Sequence, residues 1–170
     1  VKDPEKLNFG IIEDNLDWPL FNLSDEEIAK KINMPLFYYY LKSNNHLPMQ
    51  YLKDFPLHGK DLQNYYTRPK LFQHVIERPE HQWLYWGPPS SMTEIHVDVD
   101  DTHAWSVVVK GKKLWWFWLG DTVKTLTQHP GEVLFVKSGI KHAVVNVETT
   151  LAITHNFKFI GKKKHQIKDT

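Results

Sequence analysis

The 170-residue chain is 41% apolar and 24% charged, which fits one folded domain with a single core and excludes a disordered chain. Its 21 basic and 20 acidic residues leave a net charge of +1, so the overall balance does not point to a nucleic-acid partner. The lack of cysteine excludes disulfide scaffolds, thiolate metal sites and cysteine nucleophiles, and no apolar run approaches the roughly 18 residues of a membrane span.

The chain opens at Val1 rather than Met and has no signal-peptide pattern, as expected of a fragment or a processed chain. Residues 1–30 read as an irregular lead-in followed by a short helix. Ser24 and Glu27 form a capping box, and Asp25, Glu26 and Glu27 suit a helix N-terminus. Pro35 reads as the stop of that helix, and 36–41 as an aromatic strand or edge segment. Pro48, Pro56, Gly59, Pro69 and Pro79 break 42–82 into loops, with a short helix expected over 61–66.

From Gln82 the texture becomes β. Candidate strands are 82–86, 93–98, 104–109, 112–119, 132–136, 142–147 and 151–159, separated by Gly- and Pro-bearing turns. Short strands without intervening helices predict an all-β core, a cupin-like jelly roll or double-stranded β-helix. The expected organisation is therefore a mixed helical and loop segment over 1–81 packing on a β core over 82–160. A basic tail over 161–170 follows, in which Lys162, Lys163, Lys164 and His165 read as a solvated end, with a localisation or phosphate-binding patch as the alternative. With Trp115, Trp116 and Trp118 beside Phe117, at least one large ring must face outward.

Within this β region, His96 and Asp98 are separated by one residue, so on a strand they share a face while Val97 points the other way. His142, entering a later strand, would complete a 2-His-1-carboxylate triad of the kind that holds Fe(II) by one face and leaves positions open. A surface pair plus a hydrogen-bonded core histidine is the competing reading in a chain with ten histidines. A co-substrate with a distal carboxylate needs a cation. Lys113, in an apolar and aromatic run, is a candidate, although it also reads as a solvated strand residue like Lys110 and Lys112. Thr93 and Thr154 are candidate hydroxyl donors, each also an ordinary strand residue.

Two blocks together resemble the Jumonji C family of Fe(II)/2-oxoglutarate dioxygenases. Residues 85–118 run from Tyr-Trp-Gly-Pro-Pro through Thr-Glu-Ile-His-Val-Asp and Ala104-Trp105 to Gly111-Lys112-Lys113-Leu114-Trp115. Residues 130–157 run from Pro-Gly-Glu-Val-Leu-Phe-Val through His142 and Asn146 to Thr154-His155-Asn156-Phe157. The Gly-Pro-Pro entry and the ending most resemble the arginine-demethylase/lysyl-hydroxylase branch, once called phosphatidylserine receptor. The turn after Phe135 and the Gly120-Asp121 stretch also look somewhat like demethylases acting on lysine 36 of histone H3.

The resemblance implies that His96, Asp98 and His142 are iron ligands and that Lys113 pairs with the C5 carboxylate of 2-oxoglutarate, with Thr154 or Thr93 beside it. It further implies a co-substrate tyrosine on the aromatic segment after Pro35, Tyr38 being the choice, and polar roles near the site for Asn146 and Asn156. This sequence departs from the pattern at Val99, Ser106, Lys137 and Ile140-Lys141, and its interval from Asp98 to His142 is short; no departure removes a ligand.

The implied activity is hydroxylation of a protein side chain, lysine first, with O₂ and 2-oxoglutarate consumed. The alternatives are an N-methyl-lysine demethylase and a non-catalytic scaffold. The expected partner is a protein or peptide, a histone or other nuclear protein among them, with no membrane and no direct nucleic-acid contact. The expected location is nuclear, otherwise cytoplasmic.

Overall fold

Ten strands arranged in two antiparallel sheets build the core of the computed structural model, which describes residues 3–46 and 48–161. The basic stretch 162–165 lies outside them. The larger sheet has the order β1-β8-β5-β10-β3-β2, formed by Phe9–Glu13, Val133–Val136, His103–Lys110, Thr150–Lys158, Ile76–Gly87 and Leu52–Pro56. The smaller sheet has the order β4-β9-β6-β7, formed by Met92–His96, Lys141–Asn146, Lys113–Leu119 and Thr122–Gln128. Consecutive strands alternate between the two sheets along much of the chain, the topology of a double-stranded β-helix.

All seven strands expected from the sequence are present. β1, β2 and β7 are additional, and each lacks a readable alternation for its own reason. β1 contains Gly10, β2 contains Pro56 and a left-handed Asp54 (φ 52°), and β7 is exposed along most of its length.

The capping box forms as read: Glu27 N–H donates to Ser24 Oγ at 3.1 Å and Ser24 N–H donates to Glu27 Oε1 at 2.9 Å, opening helix α1 at Asp25–Lys31. The segment after it corrects the sequence reading. Residues Pro35–Lys42 form a second helix, α2, not a strand. Proline fits the first helical turn because its missing N–H is not needed there. Phe37 and Leu41, one turn apart, are buried against the core and outweigh the β-propensity of three consecutive tyrosines. The expected helix near 61–66 is a 3₁₀ helix, Asp61–Tyr65.

Two apolar clusters flank the larger sheet. On its outer side, Trp105, Val107, Leu151, Ile153 and Phe157 pack with Leu20, Ile28, Phe37 and Phe72 from the N-terminal half. Between the sheets, Trp115, Phe117, Leu134, Val136 and Val144 close one end of the sandwich, with Phe9 stacked on Phe117 at 3.9 Å. Strand alternation in β6 sends Lys113, Trp115 and Phe117 inward, leaving Trp116 and Trp118 on the partly exposed face. The other end of the sandwich is open, and its polar residues line a cavity.

A carboxylate is buried on the far side of the same sheet. Glu77 Oε1 accepts from His155 Nδ1 at 2.8 Å and pairs with Arg68 Nε at 3.2 Å, while Oε2 accepts from Trp105 Nε1 at 3.0 Å. Tyr66 donates to His155 Nε2 at 2.8 Å. A neutral imidazole thus uses both nitrogens, and burial holds His155 below its ordinary value. Because neighbouring residues alternate, this outward anchor of His155 fixes Thr154 and Asn156 toward the cavity.

Candidate metal centre

His96 and His142 are directly opposed in the β4–β9 pairing, with ring centroids 4.3 Å apart. β4 ends at His96, short of the expected strand end, but Asp98 keeps extended backbone (φ −72°, ψ 155°), so its carboxylate returns to the side of His96. Asp98 Oδ1 lies 3.4 Å from His96 Nε2 and 3.3 Å from His142 Nε2. The three side chains form a set whose ligand atoms all lie within 4.8 Å of one another.

The tautomers follow from the outer contacts. His96 Nδ1 donates to the Glu94 carbonyl and His142 Nδ1 to the Ile140 carbonyl, both at 2.8 Å, because a carbonyl can only accept. Neutral rings fixed this way present Nε2 lone pairs to the Asp98 carboxylate, which also offers only lone pairs. Three acceptors facing one another are satisfied by a cation between them, either a metal ion or a proton on one Nε2. Asp98 Oδ2 is buried without a hydrogen-bond partner among the described residues. Burial works to raise the Asp98 carboxyl, yet the two imidazoles hold it well below the usual carboxylate range, and Asp98 in turn raises His96. Two imidazole nitrogens and one carboxylate, with no sulfur, suit Fe(II) and fit this cation.

The triad sits in a cavity of about 600 Å³ whose wall includes Lys113, Thr93, Thr154, Asn156, Ser106 and Tyr85. Lys113 is buried and has no carboxylate within ion-pair distance among the described residues. Its Nζ faces the rings of Tyr85 at 5.2 Å and Trp115 at 5.8 Å. Burial alone pushes this amine down to about 7. A buried cation of this kind fits an incoming carboxylate, as a co-substrate such as 2-oxoglutarate supplies. Thr154 Oγ1 donates to Ser106 Oγ at 2.9 Å, so the two hydroxyls form one polar patch on the cavity wall.

Two sequence candidates lie elsewhere. Tyr38 is on α2, where its hydroxyl accepts from Lys42 Nζ at 3.1 Å, and it does not line the cavity. The helical course of 35–42 is the reason. Asn146 is buried behind the cavity and donates to Ser91 Oγ at 2.8 Å, which ties the turn after Gly87 to β9. Asn156 does line the cavity, while its Nδ2 donates to Thr102 Oγ1 at 2.9 Å and steadies the loop after Asp98.

Three residues escaped the sequence reading. Tyr85 shares the inward face of β3 with Trp83 and donates to the Asp54 carboxylate. The alternation of an expected strand could have shown Tyr85. Asp54 comes from a bulged edge strand and has no local signal. Tyr51 has a buried hydroxyl without a hydrogen-bond partner among the described residues, pushed up to about 12 by burial, near Asn146 and Thr93.

A JmjC domain, hydroxylase family profile matches residues 119–157, a span that includes His142, Thr154 and Asn156. Among curated proteins, the chain is 26% identical over 190 residues to the bifunctional arginine demethylase and lysyl-hydroxylase psr-1 of Caenorhabditis elegans, covering 81% of this chain and 48% of that protein. It is 30% identical over 130 residues to the arginine-specific demethylase JMJ22 of Arabidopsis thaliana, covering 54% of this chain and 26% of that protein. It is 26% identical over 153 residues to the 2-oxoglutarate and iron-dependent oxygenase JMJD4 of Mus musculus, covering 63% and 36%. The chain thus spans about half or less of the length of these relatives. An oxalate decarboxylase structure superposes on 48% of the chain at a TM-score of 0.41 and 25% identity, so the fold rests on the sheet topology itself. The converged triad, the two-sheet architecture and the profile match over 119–157 together make the chain similar to the JmjC domain hydroxylases.

Proposed function

We propose that the chain carries the active core of a 2-oxoglutarate-dependent oxygenase that hydroxylates a protein side chain, lysine in the first instance. One observation carries the reading: the buried, carboxylate-free Lys113 lines the same cavity as the converged triad. His96, Asp98 and His142 would hold Fe(II), which together with O₂ and 2-oxoglutarate supplies the oxidising power for C–H hydroxylation. The reaction balances as substrate C–H, O₂ and 2-oxoglutarate giving C–OH, succinate and CO₂.

The protein's own part is placement. The two backbone carbonyls fix the imidazole tautomers, and Lys113 supplies charge for the distal carboxylate. Trp115, Val136 and Val144 close the apolar side of the cavity against water. Asp54 and Glu94, also on its wall, favour a cationic side chain. The name of the psr-1 relative supports lysyl hydroxylation.

The name of the JMJ22 relative favours a second reading, oxidative N-demethylation. Hydroxylation of an N-methyl carbon gives a hemiaminal that releases formaldehyde. Mass spectrometry of peptides after incubation with iron, ascorbate and 2-oxoglutarate separates the two. Gain of one oxygen on unmodified lysine is the expected result. Loss of methyl with formaldehyde would replace it by demethylation, and neither product, with no succinate formed, would favour a scaffold.

A further inference from the structure

The cavity opens beside β4, the outermost strand of the smaller sheet, which pairs with β9 on one side only. An edge strand leaves a row of backbone N–H and C=O groups unpaired, and proteins usually blunt such edges with lysine, proline or a lack of exposed apolar residues. The other three edges follow that rule. β2 carries Lys53 and Pro56, β7 carries Lys124, and β1 exposes no large apolar side chain.

β4 does not. It has neither lysine nor proline and its one exposed carboxylate is Glu94; although a register shift between Thr93 and His96 bends it, Met92 and Ile95 stand 48% and 52% exposed. Val97, just past the strand end, and Val99, which opens the short 3₁₀ helix Val99–Asp101, are 48% and 44% exposed. Ile95, Val97 and Val99 also line the cavity that holds the triad. They therefore lead from an open backbone edge directly to the reacting centre. The charges at the rim select the occupant. Asp54 and Glu94 lie on the cavity wall, where Lys53 is the one exposed lysine or arginine among the described lining residues and Lys113 is buried inside; the adjoining groove carries Asp100 beside Arg78 and Lys158.

We infer that the protein substrate docks as an extended segment added to the free edge of β4, with one cationic side chain entering the cavity past Asp54 and Glu94. This rests on the oxygenase reading of the cavity and adds the mode of substrate binding to it. Backbone hydrogen bonds along β4 supply affinity with little sequence demand, and the alternation of an added strand turns the cationic residue inward while its immediate neighbours turn away. The recognised feature is then an extended, lysine-bearing stretch flanked by residues able to pack on Ile95 and Val97.

The test uses the wild-type chain loaded with Mn(II) and 2-oxoglutarate. Lysine-centred peptides from a positional library are screened by fluorescence anisotropy, and the tightest binder is taken forward. Two versions carry N-methyl groups on alternate backbone nitrogens, one set for each edge, and a third replaces lysine by the uncharged norleucine. Methylation of one edge should weaken binding about tenfold or more and methylation of the other should be silent. The norleucine peptide should also lose about tenfold or more, and hydrogen exchange should slow in Met92–His96 when peptide is added. Equal affinity for both methylated peptides, equal affinity for norleucine, protection located outside β4, or no binding by any library member would overturn the proposal. So would protection of β4 that grows with protein concentration alone, which would assign the edge to a second copy. Mn(II) binding, read separately by electron paramagnetic resonance, tests the oxygenase reading on its own, so either can fail while the other stands.

Discussion

His96 and His142 are held as mirror partners: each donates Nδ1 to the carbonyl two residues earlier, at the same 2.8 Å, and each turns Nε2 toward one oxygen of Asp98. The repetition on two neighbouring strands means that the site is set by backbone geometry before any metal arrives. Pre-set ligands cost little reorganisation on binding.

Metal should therefore stabilise the folded chain. Addition of Mn(II) at about 100 times its dissociation constant is expected to contribute about 2.7 kcal/mol, read as a rise in Tm that a chelator reverses. Asp98→Ala should abolish the rise. Its loss of affinity should exceed the roughly 10–100-fold that removal of an outer hydrogen-bond partner costs. A metal-induced shift of equal size in Asp98→Ala would count against the triad.

Lys113 makes co-substrate binding pH-dependent. Its amine is near 7 when buried alone, and a carboxylate partner raises it, so binding above that pH takes up a proton. Affinity for 2-oxoglutarate, measured by calorimetry with Mn(II) present, should fall about tenfold per pH unit above 7. Lys113→Met should weaken binding at least about thirtyfold at pH 6.5, from loss of roughly 2 kcal/mol or more of charge-assisted pairing.

The same lysine should destabilise the ligand-free fold. Between its folded value of about 7 and its ordinary 10.5, the unfolded chain binds the extra proton, so stability rises with pH across that window. Lys113→Met should have a higher Tm than the parent at pH 6.5, and the difference should narrow toward pH 10. A constant difference in thermal scans would contradict the unpaired-cation account.

Glu77 anchors the sheet from behind. Burial works to raise its carboxyl, but His155, Trp105 and Arg68 together hold it below its ordinary 4.5, so its stabilisation is present above that pH and is lost as pH falls through its lower folded value. His155, kept neutral by burial, adds a separate loss as pH falls below its ordinary 6.5. Glu77→Ala should cost about 3–5 kcal/mol in urea unfolding at pH 7, because it leaves His155 and Trp105 N–H groups without their acceptor. Tyr66→Phe, which strips His155 Nε2 of its donor, should cost about 1–3 kcal/mol.

Residues whose placement depends on strand alternation were legible in the sequence. His96 with Asp98, and Lys113 with Trp115 and Phe117, share faces as a period of two requires. The capping box of α1 was readable because its partners lie three residues apart. Tyr38 was misplaced because α1 already ends before the left-handed Asn33 (φ 61°) and Pro35 opens the next helix, whereas a local reading takes the proline only as a stop. Asp54 was invisible for a different reason: a positive-φ residue in a proline-ended edge strand has no periodic signature, and only pairing with β3 brings it to Tyr85. Asn146 sits at the end of β9, where its polar side chain secures a turn instead of facing the cavity.

Succinate formation is the most direct test of the central claim that the triad and Lys113 form one oxygenase site. The purified chain is incubated with Fe(II), ascorbate, O₂, 2-oxoglutarate and a pool of lysine-centred peptides, beside folded Asp98→Ala and Lys113→Met. Succinate matched by peptide oxygenation in the parent, and at least about a hundredfold less in both variants, is the result predicted here. Absence of succinate from iron-loaded parent protein, or equal succinate from Asp98→Ala, would contradict it.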